Sequence, residues 1–174
     1  TRNVDIARYI NYLEAPTELK LSTPIHMLYV GPRPSNLPEI GNEELNSIKQ
    51  ILSFPENKPN VSIDELSPAT YDNLMDYLEE YSPQVIHFDG HGRYGVSCPI
   101  CSSMNEPEFI NCSECGYSLS GIVSQGYLAF EKNQNSKNVK WVPSEEMGQL
   151  LHVAGVQMAV LSACSSGTVM NNTM

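Results

Sequence analysis

Three short, nearly unbroken apolar runs, at residues 26–30, 84–88 and 156–161, constrain this chain more than any other feature. A strand covered on one face alternates apolar and polar side chains, whereas a strand buried on both faces has no such need. Helical patterns separate the runs, which confines the chain to an α/β architecture: a mostly parallel sheet with helices on both faces. Each run stops at small or turn-forming residues. Gly31-Pro32-Arg33-Pro34 follows the first, Asp89-Gly90-His91-Gly92 the second, and Ser162-Ala163-Cys164-Ser165-Ser166-Gly167 the third. Functional groups in open parallel sheets emerge beyond the carboxyl ends of the strands. If the second and third runs are parallel neighbours, His91 and Cys164 share one sheet edge.

The remaining pattern fills in the layers. Leu45, Ile48 and Leu52 recur at helical spacing within 42–52, and Glu43 and Glu44 suit the dipole of its first turn. Residues 61–64 alternate as a strand does. Ser67-Pro68 reads as a helix start, Ser as N-cap and Pro at the first helical position, with Tyr71, Leu74, Leu78 and Tyr81 as the apolar stripe. Residues 126–130 and 139–142 read as an antiparallel pair. A helix opens at Ser144, faces the core with Met147, Leu150, Leu151 and Ala154, and ends at Gly155. Residues 5–11 fit a strand or a short helix equally well.

Five cysteines are present, and four of them form two C-x-x-C pairs, Cys98/Cys101 and Cys112/Cys115. Each tight turn aims two sulfurs at one ion, and four sulfurs in a tetrahedron suit Zn²⁺, with rubredoxin-like iron the minor alternative. All four ligands come from protein, so the expected site is closed and structural. The segment between the pairs (residues 102–111) is too short to bury a core without a metal. The expected role is a stapled loop, a knuckle at 97–117.

Charge narrows the partners. Twenty acidic side chains against ten basic ones leave a formal charge of −10. Phosphate binding needs clustered Lys and Arg, so nucleic acid is disfavoured as partner, and so is an anionic membrane surface. The knuckle carries Glu106, Glu108 and Glu114 and no basic residue. Paired C-x-x-C motifs beside an unpaired thiol fit a reducing compartment, and the expected location is cytoplasmic. One ordinary core, hence one domain, is expected for 174 residues. The first residue is Thr1 and the chain stops ten residues after Cys164, which reads as a partial domain.

Cys164 is the thiol that the knuckle leaves over. A thiol and an imidazole at neighbouring strand ends are what a cysteine nucleophile and its general base require. Residues 85–92 (VIHFDGHG) and 161–167 (LSACSSG) resemble the two catalytic motifs of CHAT domains, caspase-like cysteine peptidases related to separases and caspases. The order of the strands and helices follows the same family over nearly the whole chain, apart from the knuckle. The resemblance implies a cysteine endopeptidase with Cys164 as nucleophile, His91 as base, and the Gly92 and Cys164 backbone N–H groups as oxyanion donors. It also implies a protein substrate, a regulatory repeat or sensor module or partner chain, and an effector role in prokaryotic (antiviral) defence or signalling. The rival reading is an inactive caspase-like scaffold that recruits a partner through the zinc loop.

Other candidates read as structural. His87 is expected to be a hydrogen-bonded core histidine or one that supports a site residue from behind, because four residues of extended strand separate it too far from His91 for a shared metal. Asp89 is a loose candidate for orienting His91. His26 and His152 have no partner visible in the sequence. By the family resemblance Arg33 could reach a substrate pocket, as basic residues near that position do in caspases, but it is expected to be a solvated turn arginine.

Overall fold

The computed structural model describes residues 23–54, 60–133 and 136–163. Residues 5–11 and Cys164 lie outside these. Two four-stranded sheets share one core. In the first, β1 (Ile25–Val30), β2 (Val61–Glu65), β3 (Val85–Asp89) and β8 (Met158–Ser162) run parallel in the order β2-β1-β3-β8. In the second, β4 (Gly92–Ser97), β5 (Met104–Asn105), β6 (Gln125–Asn133) and β7 (Ser136–Pro143) run antiparallel in the order β5-β4-β6-β7. The expected antiparallel pair is β6 and β7. The strand β4, immediately after His91, was not legible because Gly-Arg-Tyr-Gly interrupts any apolar pattern.

Burial explains why the central runs lack alternation. All five residues of β3 are buried. Its Ile86 and Phe88 join Leu28 and Val30 of β1 in the main core, with Leu74 and Leu78 of α2 (Tyr71–Glu80), Leu128 and Phe130 of β6, and Met147 and Leu151 of α3 (Ser144–Val153). The opposite face carries Tyr29 and His87, whose rings stack at 5.6 Å. There α1 (Glu43–Leu52) closes over the sheet, and Glu44 Oε1 lies 2.8 Å from His87 Nε2. Helices therefore cover both faces. The outer strand β8 departs from the expectation of full burial: Met158 and Leu161 remain 44% and 42% exposed.

The start of α2 also differs. Thr70, not Ser67, is the N-cap, its Oγ1 accepting from Asn73 N–H at 3.1 Å. The reason is competition from the second sheet. Glu131 N–H of β6 donates to the Ala69 carbonyl, and Thr70 bridges Glu131, so residues 69–70 are held extended. The helix can begin only once that pairing ends. Gly155, at φ 74°, closes α3 as its C′ residue. No helix among the described residues is long and apolar enough to cross a membrane.

Candidate active site and metal centre

β3 and β8 are parallel neighbours with Asp89 opposite Ser162. The Gly90 N–H continues that pairing by donating to the Ser162 carbonyl at 3.1 Å. One residue later the His91 carbonyl accepts from Ala129 N–H of β6 at 2.9 Å. The chain thus passes from one sheet to the other at Gly90-His91, and His91 is anchored at their junction. Gly90 is required there, because a Cβ would lie 2.9 Å from the Phe88 ring and 3.2 Å from Pro32.

The imidazole is held from the loop after β1. His91 Nε2 lies 2.7 Å from the Pro38 carbonyl oxygen. A carbonyl only accepts, so Nε2 is the protonated donor, and in the neutral ring Nδ1 keeps the lone pair. A group that removes a proton from a thiol needs that lone pair. Pro38 is a positioning element the sequence did not expose; in Asn36-Leu37-Pro38 it reads only as a turn.

Gly92 opens β4 opposite Leu128. Because Ala129 N–H reaches past this pair to the His91 carbonyl, Gly92 and Leu128 form a non-hydrogen-bonded pair of the ladder. The Gly92 N–H is not spent on β6. Cys164, two residues beyond Ser162 in sequence, lies outside the described residues.

Asp89 does not orient His91. Its Oδ2 accepts from the Tyr29 hydroxyl and, at 2.7 Å, from Arg33 Nη2. Nor is Arg33 a solvated turn residue. Its Nη1 donates to the Asp89 carbonyl at 2.6 Å and to the Pro32 carbonyl at 3.1 Å, and its Nη2 also donates to the Gly41 carbonyl at 3.0 Å. A desolvated carboxylate on a strand end needs a cation, and the nearest one is drawn inward from the loop. The same clamp ties residues 32–41 to the end of β3, so Pro38 is brought to His91. Burial, with the Asp89 carboxylate adding to it, pushes the Tyr29 hydroxyl far above its ordinary range. His26 pairs with Asp64 at 3.0 Å and meets the Tyr77 hydroxyl at 3.1 Å, whereas His152 sits exposed in the last turn of α3.

The four knuckle cysteines converge. The sulfurs of Cys98, Cys101, Cys112 and Cys115 all lie within 4.8 Å of one another. Cys98 and Cys115 are 3.6 Å apart and Cys101 and Cys112 3.5 Å, too far for disulfides. A tetrahedron with metal–sulfur bonds of about 2.3 Å has edges of about 3.8 Å, so the donor set fits one tetrahedral ion. Two matching turns build it. Ser102 N–H donates to the Cys98 carbonyl and Gly116 N–H to the Cys112 carbonyl, both at 2.9 Å, and both donor residues have positive φ (60° and 73°).

The Ser103 hydroxyl, 3.0 Å from Cys112 and 3.1 Å from Cys101, is the largest cause holding the Cys112 thiol well below its ordinary range. Asn105, 1% exposed, braces this shell by accepting from Ser113 N–H and donating to the Ser103 carbonyl. Apart from the cysteines, this lobe's core holds only Val96 and Leu119, with Ile122 against them. Such a core is too small to order the lobe alone, so the four thiols suit a metal-held insertion.

No curated protein matches the chain. Residues 23–173 match the sequence model of the CHAT domain, a caspase-like cysteine peptidase family, and the chain belongs to that family.

Proposed function

We propose that this protein is a cysteine endopeptidase in which Cys164 is the nucleophile and His91 the general base. The observation that carries this reading is the imidazole at the sheet junction, whose Nε2 donates to the Pro38 carbonyl, so that in the neutral ring Nδ1 is the basic nitrogen. In sequence, Cys164 comes two residues after the end of β8, the strand that runs parallel beside β3. In the proposed reaction His91 takes the thiol proton, and the sulfur bonds to the scissile carbonyl carbon. The C–N bond then breaks as the same proton passes to the leaving amine. Water hydrolyses the thioester and returns the thiol. The Gly92 N–H, not used by β6, is the proposed donor to the developing oxyanion, a contribution on the order of 10²–10³ in rate.

The metal in this reading is structural zinc. Regulated action on a protein partner and a defence role belong to the same proposal and rest on family membership, and a cytoplasmic setting rests on the cysteine usage. Cys164→Ala and His91→Ala should each abolish cleavage of the cognate protein while leaving the metal bound. Persistent cleavage by either variant would overturn the assignment.

A second reading, an inactive scaffold, is favoured by one feature. Ile100, Ile110 and Val123 around the knuckle are 66%, 71% and 79% exposed, as a docking surface would be. Thiol reactivity separates the two. A peptidase thiol alkylates quickly below neutral pH because His91 lowers its pKa, and a scaffold thiol does not.

A further inference from the structure

A cavity of about 410 Å³ opens beside the proposed base. Arg33, Pro34, Leu37, Pro38, Glu39 and Ile40 line it. It shares Pro38 with His91, since the carbonyl of that residue holds the imidazole. A side chain adjoining a bond attacked near His91 therefore has this cavity within reach.

The charge the cavity offers is not the one its arginine suggests. Both terminal nitrogens of Arg33 are committed, to the Asp89 carboxylate and to the carbonyls of Pro32, Asp89 and Gly41. Only Nε remains, buried and without a partner. A single N–H accommodates a neutral carbonyl oxygen but cannot grip a carboxylate with two parallel bonds. Freeing the guanidinium for an acidic ligand would strand Asp89, whose side chain is 9% exposed. Arg33 and Asp89 thus cancel. The charge left over is Glu39, which is exposed and has no ion pair or hydrogen bond among the described residues. Pro34, Leu37, Pro38 and Ile40 supply apolar walls, which suit an aliphatic stem with its charged head at the rim.

We propose that this cavity is a specificity pocket for a lysine or arginine side chain beside the scissile bond, with Glu39 as its selecting residue. The proposal rests on His91 and Cys164 being the dyad. It makes the substrate a basic segment, complementary to a protein of formal charge −10.

The test uses the full chain and peptidyl acyloxymethyl ketones that differ only in the residue next to the electrophile: lysine, norleucine or aspartate. Labelling rates of Cys164 are read by intact mass. Lysine should exceed norleucine about threefold and aspartate about tenfold, the span an exposed ion pair supports. Glu39→Gln should erase the lysine advantage, and Glu39→Lys should reverse it. Faster labelling by aspartate than by norleucine, or an unchanged preference in Glu39→Gln, would overturn the proposal.

A second measurement keeps the pocket testable without catalysis. In Cys164→Ala, methyl signals of Leu37 and Ile40 should shift with acetyl-lysine methylamide more than with acetyl-aspartate methylamide. Failure of every electrophile with that methyl preference intact sinks the peptidase reading and leaves the pocket. Reversal of the methyl preference sinks the pocket alone.

Discussion

Replacing Arg33 with methionine tests the clamp that joins the first loop to the end of β3. The pair it breaks is 2.7 Å long, with Arg33 and Asp89 side chains 23% and 9% exposed. Removing one partner of a fully buried pair costs about 3–5 kcal/mol, because a charge is left without compensation. Partial exposure of Arg33 and the surviving Tyr29 hydroxyl bond to Asp89 reduce this, so about 2–3 kcal/mol is expected. Asp89→Asn keeps an acceptor for Tyr29 but loses the charge, and about 1–2 kcal/mol is expected. In the double variant neither charge remains stranded. Its cost should fall short of the sum by about 1–2 kcal/mol. Urea unfolding at constant m reads all three. A cost below about 0.5 kcal/mol for Arg33→Met, the range of ordinary surface substitutions, would refute the clamp. So would strict additivity in the double variant.

Three further outcomes follow from other parts of the molecule. Stripping the metal with a chelator should raise amide exchange through β4 and β5 while leaving β1 and β3 protected, because the lobe's own core is two cysteines with Val96 and Leu119. Uniform protection after metal loss would contradict this. Burial first, then the Glu146 carboxylate, pushes the Tyr71 hydroxyl up to about 12. The unfolded chain therefore ionises first, and the stabilisation is complete below the ordinary tyrosine range and lost as pH rises through about 12. Tyr71→Phe should flatten the alkaline limb of a stability–pH curve, and an unchanged limb would count against it. Ser102 holds a left-handed conformation (φ 60°) that Gly116 fills without strain in the matching turn. Ser102→Gly should stabilise the metal-loaded protein by about 0.5–1 kcal/mol in urea unfolding, and destabilisation would show the serine contributes something the turn geometry does not.

Legibility followed the range of the interactions involved. Element type was readable where burial on two faces removes alternation, as in β3, or where one face repeats at helical spacing, as with Tyr71, Leu74 and Leu78 in α2. Helix starts were less so. The choice of Thr70 over Ser67 as N-cap follows β6 capturing Ala69, sixty-two residues away in sequence, because local capping preference barely separates the two residue types. β4 was invisible for a related reason: its glycine-rich sequence is strand only because β6 lies beside it. Tyr81, placed on the apolar stripe of α2, is 45% exposed because the helix ends at Glu80 and Tyr81 turns extended, off the helical stripe.

The sequence by itself determined the order of strands and helices, the grouping of four thiols on two turns, and the placing of His91 beyond a strand end. These are short-range consequences of periodicity, ligand spacing and chain direction. Only the tertiary structure decided what each charged group near the site does. It put the Pro38 carbonyl on Nε2 of His91, spent Arg33 on Asp89, and left Glu39 without a partner among the described residues. The physical reason is that an ionisable group takes its role from whichever opposite charge or acceptor lies within a few ångströms. For residues fifty or more positions apart, the fold alone sets that distance.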